Sequence, residues 1–487
     1  MLFEVVALRT GRRLFGNKSE KIDPAQLELL FKDLPGKEQA SCGADAPQEA
    51  VAAPEPKRRS KRGGHRSRIT GLDRLPVETT EIIPDLVAAD PAAFERCGEE
   101  ITELLDIIPA RYIKRRIVRV KYRRKTCRHL PPVIAPAPAT PLVGGLPAAG
   151  LLAHLLVGKF IDHLPLYRQQ SIFARAGLGI PRDLIIHWVH QAIGLLEPVA
   201  LAIRREALAS TYLQIDETPV RYFQPGTGKS WQGYLWVAND PRGSLFYHWG
   251  VGRGREQLVE TIGPHFLGNI QSDGYSAYKS YGKHSQQTGL IACLAHIRRN
   301  FAEVLDGGPS PHAALIVRLI GHLYHIETDL REKQKAGPAL RESQRAWRSA
   351  PIVRRIHAVM KILLPKHRPQ SPLGRALAYG LGHWDAFARY LQDGRFEIDN
   401  NLVENCMRPI KLGAKNWLFF GSKEAGHHAA MIYTLVENCR RFEIPVETYL
   451  KELLTRLPGV TDREVIASLT PARIAAVRTR ARRTAAA

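Results

Sequence analysis

Asp216, Asp273 and Glu404 are carboxylates set among largely apolar neighbours. Asp216 lies in "TYLQIDETPVRYF", Asp273 closes "LGNIQSD", and Glu404 follows the asparagine pair of "RFEIDNNLVENCMRP". Two carboxylates ~4 Å apart repel by about 1 kcal/mol in water and by about 4 at an effective dielectric of 20. Three gathered in one pocket are a liability without cations. Hard divalent ions with oxygen ligands remove that liability, and Mg²⁺ takes a few carboxylates plus substrate phosphates. Two such ions ~3.5–4 Å apart suit an in-line displacement at a phosphodiester. Asp216, Asp273 and Glu404 are therefore the expected catalytic acids and metal ligands, for two Mg²⁺ ions or Mn²⁺ in their place.

Each acid also has an ordinary reading. Asp216 beside Glu217 fits a strand-edge charge, Asp273 before Gly274 fits a turn, and Glu404 near a helix start favours the helix dipole. Asp399 is the rival third carboxylate. Asn400 and Asn401 are good N-cap residues and would set Glu404 in a first helical turn. Arg408 follows four residues later on the same face, where it would neutralise phosphate. Lys411 and Lys415 extend that basic run, although Pro409 should kink the helix. In "CLAHIRRNF", Cys293 and His296 have ligand-like spacing but no second pair. A packed cysteine and a polar histidine are expected there, with Arg298 and Arg299 either on phosphate or on a solvated face.

The elements that must carry these residues can be read from periodicity. "TYLQIDETPVRYF", "QGYLWVAND" and "GSLFYHWGVG" are β-branched and aromatic runs parted by Gly/Pro turns, as in a three-stranded antiparallel meander. "LGNIQSD" reads as a fourth strand, and "TGLIACLAHIRRNFAEVL" as a strand entering a helix. Residues 306–394 are helical, and residues 395–440 return to the core through the Glu404 helix and "GHHAAMIYTLVENCRRF". Residues 441–487 form a helical segment and a basic tail. Acids on a first strand, a fourth strand and a late helix match an α/β, ribonuclease H-like core, with residues 210–305 as its first part.

Upstream, residues 136–209 have helical periodicity, and the turn "GLGIPRD" before the Trp188 helix fits either a helix-turn-helix or a plain scaffold. Residues 69–135 read as a small β-rich module containing "YIKRRIVRVKYRRK". Cys97 and Cys127 invite a zinc ribbon, but Phe94 and Leu130 stand where further ligands belong. A metal-free remnant of such a module is expected, without structural zinc. Residues 39–68 form a Pro/Ala/Gly-rich linker ending in Lys57, Arg58 and Arg59, which read as phosphate contacts or as solvated cations. Residues 1–38 look like a small helical unit.

The 487-residue chain carries a formal net charge of +23, which favours a polyanionic partner, nucleic acid above all. Six scattered cysteines without a regular framework point to reduced thiols and a cytoplasmic location. The longest apolar stretch, "LVGGLPAAGLLAHLLVG", is broken by Pro147, His154 and glycines and reads as a buried helix, not a membrane span.

At these residues the chain resembles the DDE transposases of bacterial insertion sequences, insertion-sequence family sixty-six in particular. The resemblance runs through "FGNKSEK", "KFIDHLPLYRQQSIFARAGLGI", "IDETPV", "QSDGYSAY", "CLAHIRRNF", "DNNLVENCMRPIKLGAKNWLFFGS" and "VETYLKELLTRLP", in order along the chain. It implies strand cleavage and strand transfer at element ends, Mg²⁺ dependence, and catalytic acids on Asp216, Asp273 and Glu404. It also implies that the 404 − 273 = 131 residues between the last two acids hold an all-α insertion. The implied partners are terminal-repeat and target DNA, further copies of the chain on DNA, and two small proteins of the same element. Ala414 departs from the arginine that the family tends to have there. Two rival readings remain: an inactive DNA-binding relative, and a structure-selective nuclease on the same fold.

Overall fold

A computed structural model describes residues 145–486 except 225, 286 and 334, together with residues 112, 121–122, 133–134 and 139–142. The chain divides into two units, Met1–Ile113 and Lys114–Ala487, and every described residue but Tyr112 belongs to the second. Lys57, Arg58, Arg59, Cys97 and Cys127 lie outside the described residues, and with them the linker and zinc-module readings. Within the second unit, Lys121–Tyr122 of the basic run pairs antiparallel with Val133–Ile134.

Three helices come first: α1 (Ala149–Phe160), α2 (Leu166–Arg175) and α3 (Arg182–Leu208). Among the described residues α3 is the one helix long and apolar enough to cross a membrane by length and composition. One face of it packs in the core, where Trp188, Val189, Ile193, Leu196, Val199 and Ile203 are all buried, while Leu184 and Leu201 are exposed.

The sheet follows, with β1 (Tyr212–Phe223), β2 (Ser230–Asn239), β3 (Leu245–Gly250), β4 (Gly268–Ser272) and β5 (Thr288–Ala292). Its order is β3-β2-β1-β4-β5. β1–β2 and β2–β3 are antiparallel, while β1–β4 and β4–β5 are parallel. The crossovers required by parallel pairing are α4 (Arg255–Ile262), which leads into β4, and α5 (Ser276–His284), which leads into β5. One face of β1 packs Leu213 and Ile215 against Leu258, Ile262, Tyr278 and Tyr281 of those helices. Alternation along β1 turns Gln214 and Asp216 to the other face.

After β5 come α6 (Leu294–Asp306) and a helical subdomain of α7 (Pro311–Thr328), α8 (Pro338–Gln344), α9 (Ala350–Leu363), α10 (Pro372–Gly382) and α11 (Trp384–Ala388). These helices share a separate core built on Phe301, Ile316, Ile320, Leu323, Met360 and Leu377. Ser310 and Ser371 start α7 and α10 by accepting the amides of Ala313 and Gly374, with a proline at the first helical position of each.

The chain then returns to the sheet through α12 (Asn401–Trp417) and α13 (Lys423–Arg441). α13 covers the outer edge of β3. The Leu245 amide donates to Asn438 Oδ1 at 3.1 Å, Asn438 Nδ2 donates to Leu245 O, and the Tyr247 amide donates to Thr434 Oγ1 at 2.9 Å. An otherwise unpaired strand edge is thereby closed. α14 (Val446–Arg456), α15 (Arg463–Ser468) and α16 (Pro471–Ala486) complete the chain.

Candidate active site

Asp216 is on β1, opposite Val237 of β2, and its Oδ1 accepts the Glu217 amide at 2.9 Å. Asp273 is the first residue beyond β4. Its Oδ1 accepts the Tyr275 amide at 2.8 Å, and the Tyr379 hydroxyl of α10 donates to its carbonyl at 3.1 Å. Gly274 allows this turn because its φ is +85°, and a Cβ there would meet the His383 ring at 2.8 Å. Glu404 lies in the first turn of α12.

Asp273 and Glu404 both act on the Asp216 carboxyl, although Asp273 lies outside the cavity that the other two line. Burial, then Glu217, then Asp273 and Glu404 push the Asp216 carboxyl up to about 7, against the opposing effect of its bond from the Glu217 amide. Asp216, Glu404, Arg408, Lys411, His296 and Arg299 line one cavity of about 520 Å³. Lys415 and Arg298 are exposed and lie outside that lining.

One expectation about the helix start is corrected. Asn400 occupies the cap position of α12, but its side chain makes no capping bond. Asp399 does that work, accepting the Asn401 amide at 3.1 Å and Asn401 Nδ2 at 2.8 Å. The side chain two residues back reaches the free amide, whereas Asn400 is fully buried and its side-chain amide has no partner. α12 contains Pro409 and extends to Trp417. Asp399 is buried and absent from the cavity lining.

Sequence reasoning passes over the residues that balance this charge. Glu217 reads only as a neighbour of Asp216, yet its side chain is 1% exposed and accepts bonds from Arg253 Nε and, at 2.6 Å, from the Tyr278 hydroxyl. Burial still raises its carboxyl above the usual range. Arg253 also places Nη2 3.7 Å from Asp273 Oδ2 and its guanidinium 4.0 Å from the Tyr275 ring centroid. A cation between glycines in "GVGRGRE", directly after a strand, is the available signal. His296 Nε2 is 4.0 Å from Glu404 Oε1, too far for a hydrogen bond, and burial lowers its basicity.

Two acids here are incompletely compensated: burial and then Glu217 raise the Asp216 carboxyl, and Glu404 Oε1 is buried with no hydrogen-bond partner. Oxygen donors of this kind suit a hard divalent cation. Among the described residues, however, no three His, Cys, Asp or Glu side chains are grouped closely enough to hold a metal ion. The donors fit in kind, and as placed they do not form a closed ligand set. Cys293 is a buried thiol pushed up to about 12 by burial, and it accepts the Asn400 amide through Sγ.

Comparison with known proteins decides the family. The model described as "Transposase IS66 family" matches residues 144–428, a span that holds β1–β5, α12 and all three acids. The chain belongs to the IS66 transposase family. A second model, "Transposase C of IS166 homeodomain", matches residues 9–80, outside the described region. Uncharacterized protein y4jD of Sinorhizobium fredii (strain NBRC 101917 / NGR234) is 31% identical over 470 residues, covering 92% of this chain and 89% of its own. Uncharacterized protein y4qI of the same strain is 32% identical over 394 residues, covering 77% and 72%. For this IS66 transposase family member, the mixed α/β core is compatible with a DDE transposase, and the family's chemistry is polynucleotidyl transfer.

Proposed function

We propose that this chain is a DNA transposase that cuts and joins strands at the ends of an insertion sequence, with Asp216, Asp273 and Glu404 as its catalytic acids. The observation that carries the reading is that Asp216 on β1 and Glu404 on α12 line one cavity, with Asp273, after β4, near enough to act on the buried Asp216 carboxyl. The strand order β3-β2-β1-β4-β5, with three antiparallel strands and then parallel ones, supports assigning the core to the ribonuclease H-like class. Asp399 is engaged in capping α12, which favours Glu404 as the third acid.

The same three carboxylates would hold Mg²⁺, two ions or Mn²⁺ in their stead. Such ions, held by these carboxylates, would supply activation of the attacking oxygen and stabilisation of the leaving one. Arg408, Lys411 and Arg299, lining the cavity beside Glu404, would neutralise phosphate charge. Water attacks phosphorus at the element end and the 3′-oxygen leaves, taking up a proton. The freed 3′-hydroxyl then attacks a target phosphorus, gives up its proton and displaces the target strand's own 3′-oxygen. Lys415 and Arg298, outside the cavity lining, and the linker cations Lys57, Arg58 and Arg59 would add phosphate contacts. By resemblance, the chain acts in the bacterial cytoplasm as a homo-oligomer on DNA, beside two small proteins of its element.

The test is incubation of the intact chain with terminal-repeat duplex, target plasmid and Mg²⁺. Nicked ends followed by joined products are expected. Binding without nicking would establish the inactive reading, and cleavage without joining the nuclease reading.

A further inference from the structure

Both acids of the sheet share a prefix: Gln214-Ile215-Asp216 and Gln271-Ser272-Asp273. The two glutamines are fully buried and stand opposite one another where β1 pairs with β4. Gln214 Nε2 donates to Gln271 Oε1 at 2.9 Å. The two amides also grip the chain that leads to Glu404, since Gln214 Nε2 donates to the Asp399 carbonyl and Gln271 Nε2 to the Glu397 carbonyl, each at 2.9 Å. The Tyr212 hydroxyl bonds Gln271 Oε1 and accepts the Glu397 amide at 3.0 Å, while Asn239 Nδ2 donates to Gln214 Oε1 at 3.2 Å.

The helical subdomain holds the same segment from its own side. Fully buried Arg345 donates to the carbonyls of Tyr390, Asp393 and Phe396 at 2.9, 3.1 and 2.9 Å. Its charge is met by Glu327, while Arg341 bonds both Glu327 and Glu397. Apolar packing would have held residues 393–400 with little regard to register. Directional bonds to individual buried carbonyls do not, because a shift of one residue leaves them unpaired. The fixed points lie two residues before Asp216, two before Asp273 and five before Glu404.

We infer that Gln214 and Gln271 are positioning residues, which hold the strands of Asp216 and Asp273 in register with the segment that delivers Glu404. This rests on the reading of those acids as catalytic. The test uses the full chain with Gln271→Met and, separately, Gln214→Met, near-isosteres without donors. In metal-free protein, hydrogen exchange at amides 397–404 should quicken tenfold or more, while α3 is unchanged. In Mg²⁺-dependent nicking, kcat should fall 10- to 100-fold with KM for terminal-repeat DNA within twofold.

Unchanged exchange and unchanged kcat in both variants would overturn the inference. So would loss of fold in both, because the amides would then be supporting the domain as a whole. A wild-type chain that fails to nick would instead overturn the proposed function. Altered exchange in the variants would then still support the positioning lattice.

Discussion

Arg253 stands between two acids, bonded through Nε to Glu217 and with Nη2 3.7 Å from Asp273 Oδ2. It is the nearest thing in the site to a counter-ion, and it comes from the loop between β3 and α4. Arg253→Ala leaves the Glu217 carboxylate buried with only the Tyr278 hydroxyl as partner. Removing one partner of a buried pair costs about 3–5 kcal/mol, and the partial exposure of Arg253 reduces this to about 2. Urea unfolding should show that loss, and Glu217→Gln in the same chain should restore most of it. Equal losses in the single and double variants would mean that the pair does not interact.

Asp216 yields a pH prediction. Its carboxyl is raised from 3.8 to about 7, so the folded state binds a proton more tightly than the unfolded state. That stabilising proton is fully present below pH ~4 and is lost as pH rises through about 7. Without divalent ions, wild-type stability should fall across this window. Asp216→Asn should be flat by comparison. At pH 8 it should be about 2 kcal/mol more stable, because each pH unit between folded and unfolded titration is worth roughly 1.4 kcal/mol, less what coupling to Glu217 absorbs. It should not nick DNA. Parallel stability curves for the two proteins would contradict the raised carboxyl.

Glu404 and Asp399 separate by their bonding. Glu404→Gln should abolish nicking and leave DNA affinity within about twofold. Asp399→Asn should retain nicking within tenfold, because its carboxylate accepts from Asn401, and should cost ~1 kcal/mol as a weakened cap. The reverse ranking in a gel-based nicking assay would move the third catalytic role to Asp399.

Gly274 is tested by Gly274→Ala. A φ of +85° and a Cβ 2.8 Å from the His383 ring combine strain with a clash. A destabilisation of about 1–3 kcal/mol is expected, and Asp273 should shift enough to lower kcat at least tenfold. Normal kcat in a destabilised variant would separate the turn from catalysis.

Much of the frame is legible in the sequence because local chemistry and final position agree. The runs around Asp216, Trp236 and Trp249 alternate like strands and are strands, and Ser-Pro pairs open α7 and α10. The illegible part depends on long-range company. "RFEID" alternates in polarity, yet Phe396, Glu397, Ile398 and Asp399 are all buried, because sheet and helical subdomain close on them from both sides. The capping role falls to Asp399 rather than to its asparagine neighbours, a choice made by the bond to Cys293 and the burial of Asn400. Arg253 meets Glu217 from 36 residues away, beyond any periodicity.

The bond from Gln214 to the Asp399 carbonyl joins residues 185 apart in the chain. Such distant closure makes folding slow, because the ordering entropy of everything between must be met first. On the proposed roles of the acids, a ribosome that stops between codons 273 and 404 releases a polypeptide with two of the three, which should be unable to cut. Competence to break DNA would thus be acquired late in synthesis, and prematurely ended copies would compete for element ends without opening them.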